Sequence, residues 1–352
     1  MNLDDRERFR SLDPQDMLGD IDRLPDQLAQ GWGLGQSLPL PSTAGGALRS
    51  VVLAGMGGSA IGADLLAAYA APSAAVPLVV WRGYEVPAFV RGPEHVVVLS
   101  SHSGNTEETL SAYDAARRAG ASLMAVTTGG ELAKRAAADG VPLWRFEHRG
   151  QPRAAVGYSF GCLLALVARL GILSDPGAEV AAAVASMKQQ QTGLRAESPV
   201  SANPAKRLAG QLMDRTPLIL GADLLAPVAR RWRTQIAELA KALAQFEEFP
   251  EADHNMLAGV SHPDDGIIRT MALFLRAPCE HPRNLRRIDA TRQVMMVAGF
   301  NTDEVVAAGE GRLAQQWTCL HFGDYTAYYL AMAYAVDPGP VHAIEDLKRR
   351  LG

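Results

Sequence analysis

The chain has 352 residues, of which 48% are hydrophobic and 20% charged, enough for two domains of ordinary size with ample core. A formal net charge of −4 argues against a nucleic-acid footprint; no apolar run reaches membrane-spanning length, and residues 1–30 are charged rather than signal-like. The three cysteines, Cys162, Cys279 and Cys319, are widely spaced without a CxxC, which suggests neither a disulfide framework nor a zinc knuckle and makes a reduced cytoplasm the default compartment.

Residues 1–35 carry a helical pattern in which Met17, Ile21, Leu24 and Leu28 recur at three- and four-residue steps, with Pro25 placed to start or kink a helix. Residues 36–46 read as a Pro/Gly/Ser linker. From residue 50 strands and helices alternate. Apolar runs at 51–54, 77–80, 96–99, 123–126 and 143–146 predict strands, and 106–119 and 132–138 predict helices between them. That alternation argues for a parallel sheet covered on both faces, with ligands at the carboxyl ends of its strands. Residues 151–173 predict one long, centrally placed apolar helix, and 178–202 a polar helix and connector. Beyond residue 205 the alternation restarts: strand 217–221 with a Gly-Ala-Asp turn, helix 227–246, strand 293–298 and helix 326–336. The chain therefore divides into two α/β halves of similar plan. No sequence repeat is visible, so common origin is an inference from architecture only.

Residues 51–70, VVLAGMGGSAIGADLLAAYA, read as strand, glycine-rich turn and helix. Gly55, Gly57 and Gly58 allow tight backbone angles and close approach of a ligand, and Ser59 opens a helix whose free N–H groups favour an anion. A second turn, Ser101-His102-Ser103-Gly104-Asn105-Thr106, follows the third predicted strand and brings hydroxyls at 101, 103 and 106 to the start of a helix. Hydroxyls and main-chain N–H groups together can wrap one phosphate. The plainer alternative is a cap, with Ser103 or Asn105 at the helix start and Glu108 completing a capping box, but that explains one hydroxyl rather than three. The first turn alone also fits a dinucleotide loop. The next strand, however, ends in Arg82 and Gly83 where a ribose-binding acid is wanted, which disfavours NAD and leaves NADP open. No GKS/T follows, so a P-loop is disfavoured.

The two turns resemble those of the sugar isomerase (SIS) domain, which binds phosphosugars. More narrowly, GMGGSAIGADLL, WRGYEVPAFV, SHSGNTEETL and TTGGELA resemble segments of the bifunctional phosphoglucose/phosphomannose isomerases of archaea and bacteria. In the C-terminal half APVARRWRTQIAELAK, FPEADHNMLAG, HFGDYTAYYLA and AVDPGPVHAIEDLKRRL continue the likeness in order, so it covers nearly the whole chain. The resemblance implies two SIS domains, each a doubly wound parallel sheet flanked by helices. The expected division is 1–46 as helical segment and linker, 47–190 as the first SIS domain and 200–352 as the second. It further implies a homodimer with no metal and a hexose 6-phosphate substrate; taken with the composition, the expectation is a cytoplasmic protein with no cofactor and no nucleic-acid or membrane partner. The implied reaction interconverts glucose 6-phosphate or mannose 6-phosphate with fructose 6-phosphate.

Such a reaction needs a phosphate anchor, a group to open the ring, a base to move a proton between C1 and C2, and something to stabilise the enediolate. The anchor is expected from Gly57, Gly58, Ser59, Ser101, Ser103 and Thr106. By resemblance Glu238, set among Ile236, Ala237, Leu239 and Ala240, stands at the base. Its plainer alternative is a helix glutamate paired with Lys241. His254 matches the family's ring-opening histidine, which reaches the site from the partner subunit; alternatively it is a turn histidine. Arg153 is suited to hold an enediolate because a guanidinium stays charged, and Lys348 matches a lysine that faces the substrate. Arg153 as a helix-start arginine and Lys348 as part of a solvated Lys348–Arg349–Arg350 helix end are the alternatives. His102 borders the phosphate turn where the family usually has Tyr. His281, His321 and His342 lack metal-ligand spacing, so a zinc-dependent isomerase is unsupported. The chain departs from the family at Ala237 (usually Asn), Met256 (usually Glu) and Gly339 (often Thr), which bears on rate and sugar choice and keeps a non-catalytic phosphosugar sensor in play. Another phosphosugar isomerase, on an amino or seven-carbon sugar, is the third possibility.

Overall fold

The computed structural model describes residues 2–42 and 47–351. The last four residues of the expected linker, 43–46, lie outside the described residues. The chain forms two compact units, one of residues 23–185 and one of residues 1–22 with 186–352. The N-terminal helical pattern resolves into α1 (Arg6–Leu12), α2 (Met17–Asp22) and α3 (Leu24–Gly35), with Pro25 in the first turn of α3, where its missing N–H costs nothing.

The unit of residues 23–185 continues with β1 (Ser50–Ala54), α4 (Gly57–Ala70), β2 (Leu78–Trp81), β3 (His95–Ser101), α5 (Glu107–Arg118), β4 (Ser122–Thr127), α6 (Gly130–Asp139) and β5 (Leu143–Arg145). Its sheet has the order β2-β1-β3-β4-β5 and every pairing is parallel. The Val-rich runs of β1 and β3 and the run of β4 are buried along their whole length, as expected of central strands covered on both faces. The expected single helix over 151–173 is divided. A 3-10 turn, Pro152–Ala155, precedes α7 (Val156–Arg169), and the left-handed Gly171 (φ +73°) marks its end. Pro152 suits a first-turn position and not a helix interior, which explains the break. The helix is buried almost throughout and packs on α3 and α4.

Next come α8 (Gly177–Gln191), α9 (Pro204–Leu212), β6 (Thr216–Ala222), α10 (Ala226–Leu239), β7 (Gln245–Phe249), α11 (Asp264–Arg269), β8 (Thr270–Arg276), α12 (Pro282–Val297), β9 (Asn301–Val306), α13 (Arg312–Ala333) and α14 (His342–Leu351). The second sheet, β7-β6-β8-β9, is also parallel and repeats the order of β2-β1-β3-β4 in the first. Two expectations fail here. Residues 293–298 are no strand but the last turn of α12: Met295 alone of that apolar run is buried, and Val297 is 84% exposed. The helix expected over 227–246 stops at Leu239, where Lys241 takes a left-handed φ of +56°, and Phe246 belongs to the edge strand β7.

The buried centre of this unit is α13, of which only the last third was expected. Gln315, Gln316, Thr318, His321, Asp324 and Thr326 are all buried along it. Each has a hydrogen-bonding partner within the unit, so the helix is interior despite its polar residues. No helix of the described residues is long and apolar enough to cross a membrane.

Candidate active site

In the sheet of residues 23–185 the chain leaves β1 toward β2 on one side and reaches β3 on the other, so the strand order reverses between β1 and β3. That switch point opens a crevice at the carboxyl ends of these two strands, the place where open α/β sheets bind ligands. Both hydroxyl-bearing turns fall there: one follows β1 at Ala54 and the other follows β3 at Ser101.

Gly57 (φ +49°) and Gly58 open α4, and Ser59 sits buried in its first turn beside free backbone N–H groups. In the second turn the Ser101 and Thr106 hydroxyls share a hydrogen bond of 2.8 Å. The Gly104 amide donates to Ser101 Oγ at 3.1 Å, and the Asn105 amide to Ser103 Oγ at 3.2 Å. Neither Ser103 nor Asn105 caps α5. Thr106 holds the N-cap position and its side chain makes no capping bond. Asn105 Oδ1 accepts instead from the Glu131 amide at 2.9 Å, at the start of α6.

A third turn, after β4, braces the second and escaped sequence reasoning. Thr128 Oγ1 donates to the His102 carbonyl at 2.7 Å, and the Leu132 amide to the Gly104 carbonyl at 2.9 Å. Gly104 (φ +68°) lies so close to Gly129 that a Cβ would collide with the Gly129 carbonyl oxygen. The TTGG sequence was the available signal. Its partner lies some 26 residues away in the chain, a separation no local pattern reports.

Arg153 is brought to the first turn. It is 3% exposed in the 3-10 turn, and a Cβ on Gly58 would stand 2.7 Å from the Pro152 carbonyl oxygen and 3.2 Å from the Arg153 amide nitrogen. A narrow cleft here is lined by Gly58, Ser59, Ser100, His102, Pro152 and Ser159, among others. His102 Nε2 lies 3.0 Å from His148 Nδ1, and burial, with the neighbouring His148, pulls the His102 imidazole down to about 4.

The remaining expected residues lie in the other unit and are not gathered at one point of it. Glu238 is half-buried in the last turn of α10; Lys241 Nζ donates to its main-chain carbonyl. Because α10 runs back from the carboxyl edge of β6, Glu238 stands near the amino edge of that sheet. His254 is exposed in a 3-10 turn, Glu251–His254, beyond the carboxyl end of β7, at the opposite edge. Lys348 is exposed in the last turn of α14. Among the departures, Ala237 is exposed and Met256 packs against the core around Phe249 and Phe274. The Gly339 amide donates to Asp337 Oδ1.

The equivalent switch point of the second sheet, between β6 and β8, carries acids where the first carries hydroxyls. Asp223 Oδ2 accepts from Asn284 Nδ2 at 2.7 Å, and Glu280, 4% exposed, is pushed up to about 8 chiefly by burial. The Asp223 carboxylate disfavours a phosphate dianion, so this crevice is no counterpart of the first. Among the described residues no three His, Cys, Asp or Glu are arranged to hold a metal, and the three cysteines form no disulfide.

Residues 201–351 match the family model of the bacterial phospho-glucose isomerase C-terminal SIS domain. The bifunctional phosphoglucose/phosphomannose isomerase of Caldicellulosiruptor bescii is 35% identical over 336 residues, covering 95% of this chain and 98% of that protein. The protein of the same name from Thermoplasma acidophilum is 34% identical, covering 87% of this chain and 91% of its own. A crystal structure of a glucose-6-phosphate isomerase like protein from Thermus thermophilus shares the fold, with a TM-score of 0.64 over 97% of this chain and 98% of that one at 23% identity. With two parallel α/β sheets of one strand order and relatives matched from end to end, the chain belongs to the bifunctional phosphoglucose/phosphomannose isomerase family.

Proposed function

We propose that the chain isomerises glucose 6-phosphate and mannose 6-phosphate to fructose 6-phosphate through a cis-enediolate, without a metal or other cofactor, as a cytoplasmic homodimer. The observation that carries this reading is the pair of hydroxyl-bearing turns at the β1/β3 switch point with Arg153 buried against the first. Gly57, Gly58, Ser59, Ser101, Ser103 and Thr106 anchor the phosphate through N–H and O–H donors at helix starts. Glu238 takes the proton from C2 of the aldose and returns it to C1. Both epimers lose their difference at C2 in the same enediolate, so one site serves both. Arg153 holds the charge that develops on the enediolate oxygens, and Lys348 faces the sugar.

His254 opens the ring. Its place at the sheet edge opposite Glu238 supports its being lent to the site of a second copy. Residues 47–190 and 200–352 serve as the two SIS domains, the first holding the phosphate and the second supplying base and histidine.

The test is exchange of the C2 proton with solvent deuterium. Glu238→Gln abolishes exchange while fructose 6-phosphate binding stays within a few fold; undiminished exchange removes Glu238 from the role. A second reading, a phosphosugar sensor without turnover, rests on Ala237 and Met256, which supply no polar partner near the base or the histidine. It predicts binding with no exchange in the wild-type protein.

A further inference from the structure

His102 sits in the turn after β3, and its ring lines the same cleft as Gly58, Ser59 and Ser100. Its Nε2 is 3.0 Å from His148 Nδ1, with the two rings edge to face at 5.2 Å. Its other nitrogen, Nδ1, has no hydrogen-bond partner among the described residues. One of two imidazoles in such contact donates and the other accepts, so together they carry at most one additional proton. Phe146 packs edge-on to His102 and stacks on Tyr158, which fixes the pair from behind. The backbone of His102 is held as well, its carbonyl accepting from the Thr128 amide and hydroxyl.

The polar and charged groups around the pair come from several elements. Tyr158 of α7 donates its hydroxyl to Gln30. Arg153 lies in the 3-10 turn behind Ser59, and Arg145, at the end of β5, donates to the Thr128 carbonyl. Glu147 and Arg149 flank His148 in exposed positions. Ser101 and Thr106 stand across the turn. Buried in the cleft with His148 beside it, the His102 imidazole by itself favours the neutral form. A phosphate dianion held by the adjacent turns reverses that preference, because an opposite charge within about 4–6 Å raises an imidazole by about 1–3 units.

We propose that the His102–His148 pair completes the phosphate site: as the dianion settles between the turns after β1 and β3, the pair takes one proton from solvent and His102 Nδ1–H donates to a phosphoryl oxygen. This rests on those turns being the phosphate anchor. The phosphate keeps its own ionisation state, and the proton taken from solvent resides on the imidazole pair. Binding of the sugar phosphate is then linked to proton uptake and strengthens as pH falls toward 6.

The test is calorimetric titration of the full-length protein with fructose 6-phosphate at pH 6, in buffers of different ionisation enthalpy. It compares wild type with His102→Phe, which keeps the ring packing, and with His148→Gln, which keeps a polar partner. Ionisation of the ligand itself is common to all three and cancels in the difference. The expected result is that wild type takes up roughly half a proton more per site than either variant, with both variants binding several-fold more weakly at pH 6 and nearly equally at pH 8. Equal proton uptake and equal affinity in all three proteins overturns the role of the pair and leaves the turns as anchor. Failure of the wild type to bind at all overturns the anchor and this proposal together.

Discussion

The Arg231 guanidinium grips the Asp324 carboxylate through two parallel bonds, Nε to Oδ1 at 3.0 Å and Nη2 to Oδ2 at 2.6 Å, with both side chains buried. The pair ties α10 to α13 and so sets where the last turn of α10, with Glu238, stands. Removing one partner takes away the opposite charge that balances the other inside the core. Asp324→Ala is expected to cost about 3–5 kcal/mol, read from urea unfolding, whereas replacing both residues by apolar ones of similar volume costs much less. A loss below about 1 kcal/mol in the single variant contradicts this role.

Glu280 gives stability a pH dependence of definite sign. In the native protein burial holds its proton up to about 8, while the unfolded chain releases it near the ordinary value of 4.5. Between those two values the native state binds a proton that the unfolded state does not. The contribution of Glu280 therefore falls as pH rises through that window and is fully unfavourable above it. Glu280→Gln removes the effect, so the variant gains on the wild type with rising pH, by about 4 kcal/mol at pH 9 relative to pH 5. A difference that is flat with pH, or of opposite slope, refutes it.

Gly104 cannot be replaced without moving the turn after β3. Its φ of +68° strains any side chain, and a Cβ there collides with the Gly129 carbonyl. Gly104→Ala is expected to destabilise by about 1–3 kcal/mol and to weaken fructose 6-phosphate binding at least tenfold. Melting and titration of the same sample check both; retention of full affinity means that the bracing by the third turn is dispensable.

The opposite placement of Glu238 and His254 on one sheet makes a prediction about subunits. Glu238→Gln and His254→Ala proteins are each expected to be inactive alone. Mixed after reversible dissociation, they regain about one quarter of wild-type activity, since half the dimers are hybrid and each hybrid holds one intact site. No recovery on mixing means that both residues serve the site of their own chain.

The first sheet was legible because VVLA, VVVLS and the run of β4 are apolar strands followed by glycine- or hydroxyl-rich turns. The second was harder for a physical reason. Its edge strands, QFEEF and NTDEVV, are polar, and its central helix α13 buries Gln316, His321 and Asp324 with partners supplied from distant segments. The apolar run at 293–298 belongs to an exposed helix end, so hydrophobicity misled where burial was absent. The two hydroxyl-bearing turns announced themselves through glycine and hydroxyl spacing. The bracing turn at Thr127–Gly129 and the His148 partner of His102 did not, because each depends on contacts between residues far apart in the chain. Glu238, His254 and Lys348 came from the resemblance alone, since no local pattern distinguishes them from solvated helix and turn residues.

The central claim is tested most directly by assaying the purified, chelator-treated protein for fructose 6-phosphate formed from glucose 6-phosphate and, separately, from mannose 6-phosphate. The account predicts turnover of both sugars, undiminished by the chelator and abolished in Glu238→Gln. Silence with both sugars in a folded protein that still binds fructose 6-phosphate contradicts it, and assigns the chain to sensing with Ala237 and Met256 as the cause.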